Sequence, residues 1–164
     1  MSSRRLLVVL AVLAVVLGAL PPAAAAPSTL WGLPLSGAPV LSRPFDPPPT
    51  PYAAGHRGVD LAGAAGQPVL AAGAGIVVFA GLVAGRPVVS VDHPGGLRTT
   101  YEPVAPAVAA GQAVARGSPL GVLLAGHAGC PAAACLHWGL RRGAVYLDPL
   151  ALLRPPRVRL LPWH

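Results

Sequence analysis

The 164-residue sequence predicts an all-β, sandwich-like domain, and three observations predict it. Twenty Gly and twenty-one Pro leave little room for long helices and supply frequent turns. From His56 onward, short β-type runs alternate with glycine-bearing turn signals at strand-like intervals. One of these runs alternates strictly, with Leu136, Trp138 and Leu140 on one side and Cys135, His137 and Gly139 on the other. Many closely spaced short strands build a sandwich or a barrel, and a chain of this length makes one domain with a modest core.

The elements follow in chain order. Behind Arg4 and Arg5, residues 6–20 contain only Leu, Val, Ala and one Gly, and Pro21-Pro22 and an alanine block end the run. A basic start, an apolar core and an A-x-A-like site predict a secretory signal over residues 1–25, cleaved after Ala25. A membrane anchor is the competing reading, but the run is shorter than the roughly 18–20 residues a spanning helix needs. Residues 27–55 are rich in Pro, Gly and Ser, and the proline run after Asp46 excludes helix, so this part reads as an extended lead-in or loop. Strands are expected over residues 67–72, 75–80, 88–92, 97–101, 120–124 and 136–141. The alanine-rich stretch 105–115 is broken by Pro106 and Gly111 and is not expected to be helical. One internal echo, Gly66-Gln67-Pro68-Val69 against Gly111-Gln112-Ala113-Val114, fits a turn that launches a strand and fits chance in so Gly/Ala/Val-rich a chain.

Composition excludes several classes. Hydrophobic residues are 54% of the chain against 10% charged, with a mean hydropathy of +0.61, which is not the make-up of a disordered chain. All twelve basic residues are Arg, so any mechanism that needs a lysine is excluded. Net charge is +7, and +5 without Arg4 and Arg5, which suits attraction to anionic envelope polymers. Nucleic acid is not expected as a partner, because the arginines are scattered and no basic stripe carries interleaved aromatics.

The chemistry-bearing residues are few. In Gly55-His56-Arg57-Gly58-Val59-Asp60-Leu61, an extended backbone puts His56, Gly58 and Asp60 on one face, with room at Gly58. An imidazole and a carboxylate on one face are two of the three protein ligands of an open zinc site, although a surface His beside a turn Asp has the same spacing. His137, on the polar side of its strand, is the third ligand candidate, or else a half-buried structural histidine.

These residues carry a resemblance. His56-Arg57-Gly58-Val59-Asp60 resembles the H-x-x-x-D motif of the lysostaphin/LytM-type zinc endopeptidases, and Cys135-Leu136-His137 resembles their H-x-H segment. Gly66-Gln67-Pro68-Val69, Asp92-His93, Tyr101, Gly111, Gly117 and Asp148-Pro149 agree in order and spacing, so the resemblance runs from about Trp31 to Leu153. It implies an antiparallel β-sheet domain with long loops, a zinc ion held by His56, Asp60 and His137, and peptidoglycan as the substrate or partner. The organisation expected is a signal over 1–25, a lead-in over 26–42, the peptidase-like domain over 43–155 and a tail over 156–164.

Two departures stand out. The first histidine of H-x-H, which in such enzymes handles the attacking water, is Cys135 here. A second acid/base histidine stands two residues after the tyrosine, and here Tyr101-Glu102 is followed by Pro103. The ligand set is intact and both acid/base histidines are absent. The chain is therefore expected to be an exported, weakly active or inactive relative that binds wall peptides or a cell-wall hydrolase; the alternative is an active zinc endopeptidase. Cys135 is expected to be bonded to Cys130, since an even pair in an exported chain usually bridges. Glu102 is expected on the face opposite Pro103, away from the site. His127, in the loop before the last strand, is the candidate acid/base that could fold over the site, although an ordinary loop histidine is the simpler reading. His93 is expected to be structural and His164 terminal.

Overall fold

A computed structural model describes residues 30–50 and 52–154. The expected signal over 1–25, the tail over 156–164 and His164 lie outside these residues. Eleven strands make two antiparallel sheets among the described residues: β1 (Leu41–Arg43), β2 (Gly58–Gly63), β3 (Pro68–Leu70), β4 (Gly75–Val83), β5 (Arg86–His93), β6 (Leu97–Glu102), β7 (Val104–Pro106), β8 (Ala113–Val114), β9 (Pro119–Leu123), β10 (Ala134–Arg142) and β11 (Val145–Leu147). The larger sheet runs β1-β2-β10-β6-β5-β4-β8, with β11 also paired to β10. The smaller sheet is β3-β9-β7. The only helical segments described are 3-10 turns at Pro94–Gly96 and Pro149–Leu153. The all-β class is thus observed, and residues 105–115 form no helix.

The turns explain the hairpins. Val83 pairs with Arg86 across Ala84 (φ 48°) and Gly85 (φ 80°), both left-handed, as a two-residue turn that matches strand twist requires. Strand lengths differ from the sequence reading where tertiary partners intervene. The strand expected over 67–72 stops at Leu70, because the Ala71 amide donates to Ser118 O and the Ala72 amide to the Tyr101 hydroxyl. Strands β1, β7, β8 and β11 were not foreseen, being two or three residues each.

The core lies between the sheets. Val59, Leu61, Leu136, Trp138, Tyr101, Val89 and Val91 from the large sheet meet Val69, Val104, Leu120 and Leu123 from the small one, all at most 1% exposed. The lead-in joins this core: Leu35 is 1% exposed, and Trp31 lies edge-on to His93 with ring centroids 4.9 Å apart. A buried polar chain braces the same end, with His93 Nδ1–H donating to Ala74 O at 2.8 Å and Thr99 Oγ1 lying 2.7 Å from His93 Nε2 and 2.9 Å from the Tyr101 hydroxyl. Burial pushes the Tyr101 phenol up to about 12, so it stays neutral there.

Candidate metal centre

Strand pairing assembles the site. In the β2–β10 ladder Asp60 stands directly opposite His137, so both side chains project from one face. His56 precedes β2 and is fixed by a bridge to Asp46, whose carbonyl accepts from the His56 amide at 2.6 Å. His56 Nε2 lies 3.0 Å from Asp60 Oδ1 and 3.0 Å from His137 Nδ1, and His137 Nδ1 lies 2.9 Å from Asp60 Oδ1. Three donor atoms thus form a near-equilateral triangle. Edges of about 3.3 Å are those of a tetrahedral ion at 2.0–2.1 Å from its ligands, so a small expansion separates this triangle from a loaded one.

The chemistry of the donors fits a cation. His56 Nδ1 sits 2.7 Å from Pro44 O, which can only accept, so Nδ1 carries the proton. In the neutral ring, Nε2 then presents its lone pair to the carboxylate oxygen of Asp60, an arrangement that a proton or a metal ion between them must satisfy. His56 and Asp60 are 5% and 4% exposed. Burial alone would raise the Asp60 carboxyl, but the hydrogen bond from His137 and the nearby His127, His56 and His137 outweigh it and hold it down at about 2. Asp60 is therefore a carboxylate throughout the neutral range. These residues could hold a metal ion, and among the described residues no other group of three or more His, Cys, Asp or Glu side chains is so placed.

Gly58 makes the space. A Cβ there would stand 2.7 Å from His137 Nε2, and the room foreseen at Gly58 is filled by the His137 ring. The site opens on a cleft of about 330 Å³ lined by His56, His137, His127, Glu102, Arg43, Arg57 and Arg86. Glu102 belongs to this lining, against expectation. It stands opposite His137 in the β6–β10 ladder, one residue after buried Tyr101, so the alternation of β6 turns it to the cleft and turns Pro103 inward. The signal was present in the sequence as the Thr99/Tyr101 periodicity. The arginines were not foreseen, because β1, the 53–57 loop and the start of β5 meet only in the fold. Arg86 pairs with Glu102 at 3.4 Å, and Arg57 lies 5.5 Å over the Tyr146 ring.

The remaining residues divide sharply. Cys135 is fully buried and bonded to Cys130, so it offers no thiolate. Pro103 is buried and offers a carbonyl, which accepts from Leu124 N at 3.0 Å. His93 is structural: it is 6% exposed, bonded within the core, and its ring lies among Trp31, Ala74 and Thr99. His127 does reach the cluster, with Nε2 at 3.2 Å from Asp60 Oδ2 and its ring stacked on His137 at 6.0 Å.

Residues 54–149 match the model of Peptidase family M23. An uncharacterised protein of Mycobacterium tuberculosis is 55% identical over 150 residues, which cover 89% of this chain and 59% of that protein, so the chain spans about three-fifths of its relative's length. Among solved structures, Helicobacter pylori Csd3 superposes with a TM-score of 0.64 at 26% identity, covering 81% of this chain and 37% of that one. A zinc-containing peptidase from Vibrio cholerae shares the fold, with a TM-score of 0.62 at 22% identity over 76% of this chain and 39% of that one. With more than half of its residues inside the family match, the chain belongs to Peptidase family M23.

Proposed function

We propose that the chain is an exported, zinc-binding domain that acts at bacterial peptidoglycan as a binding module for wall peptides or a partner hydrolase, with little or no hydrolysis of its own. The observation that carries this reading is the pairing of an intact donor triangle with the loss of both flanking acid/base groups to Cys135, now in a disulfide, and Pro103. His56, Asp60 and His137 would hold zinc, the usual metal of this family, which when bound acidifies a water and polarises a carbonyl. Around it the chain's own residues bind rather than react. Arg43, Arg57 and Arg86 give the cleft a positive rim suited to the carboxylates of wall peptides. The basic, apolar and alanine order of residues 1–26 supports export, and export supports an envelope partner.

A second reading, an active zinc endopeptidase, is favoured by one observation: His127 and Glu102 line the cleft beside the donors and are the protonatable groups there that are not ligands. Zinc content of the purified protein, followed by turnover of purified peptidoglycan with and without a chelator, tests both. One zinc per chain with no turnover supports the binding module, chelator-sensitive turnover supports the peptidase, and absence of zinc removes both.

A further inference from the structure

We infer that His127 is a positioning residue for the carboxylate ligand, holding the Asp60 oxygen that faces away from the donor triangle, and that the Cys130–Cys135 disulfide keeps it there. This rests on the metal-binding reading above. The two oxygens of Asp60 are divided between two sets of partners. Oδ1 lies 3.0 Å from His56 Nε2 and 2.9 Å from His137 Nδ1, whereas Oδ2 lies 3.2 Å from His127 Nε2. The contact is an electrostatic one, with the His127 ring nitrogen within ion-pair distance of the carboxylate, and His127 helps to hold the Asp60 carboxyl low. The donor atoms lying within 4.8 Å of one another come from His56, Asp60 and His137 and do not include His127. His127 therefore stands behind the carboxylate and not in the ligand set.

Its place in the loop is unusual for a surface histidine. Leu124, Ala125, Gly126, Ala128 and Gly129 are all exposed, while the His127 side chain is 12% exposed. A short covalent route explains the inward turn. His127 O accepts from the Cys130 amide at 3.2 Å, closing a turn through Gly129 at φ 79°, a value that favours glycine. Cys130 is bonded to Cys135, which lies in β10 two residues before His137. The imidazole behind Asp60 and the imidazole beside it thus hang from one strand, by a route that does not depend on the chain path through residues 131–134. The cysteine found where the enzymes resembled by this sequence carry a histidine so anchors a different histidine.

A ligating carboxylate that is held by an outer polar partner stays in its ligating rotamer, and removal of such partners typically weakens metal binding by 10–100-fold. The test is zinc affinity of the purified wild type, His127→Ala, His127→Gln and the Cys130→Ser/Cys135→Ser double variant, by competition with a chromophoric chelator. Cobalt(II) absorption reports the ligand geometry in each. We expect His127→Ala and the double variant to bind zinc 10–100-fold more weakly and to alter the cobalt bands, and His127→Gln, which retains an N–H donor, to recover most of the loss. Unfolding of the metal-free forms distinguishes a loosened site from a lost fold; should His127→Ala not fold, the Gln and double variants decide. Wild-type zinc affinity in a folded His127→Ala, or a double variant that binds as the wild type does, overturns the inference while leaving the metal reading intact. Absence of zinc from the wild type overturns the metal reading itself, and the inference with it.

Discussion

The ring of His137 occupies the space that a side chain on Gly58 would take, with Nε2 2.7 Å from the position of a Cβ there. Gly58 also pairs with Gly139 in the β2–β10 ladder, where the backbones run close. Gly58→Ala is therefore expected to displace His137 and to strain the ladder. Overpacking of this kind costs about 1–3 kcal/mol. Thermal unfolding should show the lower midpoint, and metal analysis should show zinc lost; an alanine variant that keeps both would contradict the packing described.

Removal of a donor should be decisive. His137→Ala leaves His56 and Asp60, which is fewer than the three protein ligands of an open zinc site. Stoichiometric zinc is expected to disappear after dialysis, while the metal-free protein remains folded. Unchanged zinc content by elemental analysis would move the site elsewhere.

Catalysis is expected to be weak. A positioned acid or base contributes 10²–10⁴-fold, and neither Pro103 nor Cys135 can serve as one. Wild-type cleavage of peptidoglycan should fall orders of magnitude below that of a relative with both histidines. Robust chelator-sensitive release of wall fragments would reject this, and comparison of His127→Ala with Glu102→Gln would then identify the proton carrier.

The disulfide should be complete in the purified, unreduced protein. Thiol titration of unfolded, unreduced chains is expected to find none free, and two would reject the bond. Its loop is short, so on the chain-entropy account its reduction should cost about 2 kcal/mol, readable as a lower denaturation midpoint.

His93 gives the fold an acid sensitivity separate from the metal. Burial lowers its pKa below the ordinary 6.5, more than Ala74 and Asp92 raise it. The neutral form is thus the one the fold accommodates. Its stabilising contribution is full above 6.5 and is lost as the pH falls through the lowered folded value. Metal-free protein should lose stability as the pH falls below about 6.5, and His93→Gln, which keeps a donor for Ala74 O, should flatten that slope. Equal slopes in the two proteins would assign the loss to other groups.

Much of this architecture was legible in the residues. Strands β5, β6 and β10 show period-two alternation, and β4 begins and ends at glycine turns, so their existence follows from local pattern. Strand β2 is less plain, because Gly58-Val59-Asp60-Leu61 is buried on both faces and its polar side is covered by the site. The three donors could be nominated from residue type and spacing. The contact between His127 and Asp60 could not, since it joins residues 67 apart through a loop whose path depends on the disulfide. Glu102 was misplaced by reasoning from Pro103, when buried Tyr101 was the better guide to the strand's facing.

The β2–β10 pairing has a consequence for the order in which the molecule comes together. Hairpins β4–β5, β5–β6 and β10–β11 join neighbours in the chain and close on short loops. Asp60 and His137 are 77 residues apart, and their ladder must bring together the two ends of everything between them. Loop-closure entropy makes so distant a pairing a late event, after the local hairpins have formed. The donor triangle therefore has no precursor in the partly folded chain, and capture of a metal ion reports that the first and last large strands have already met.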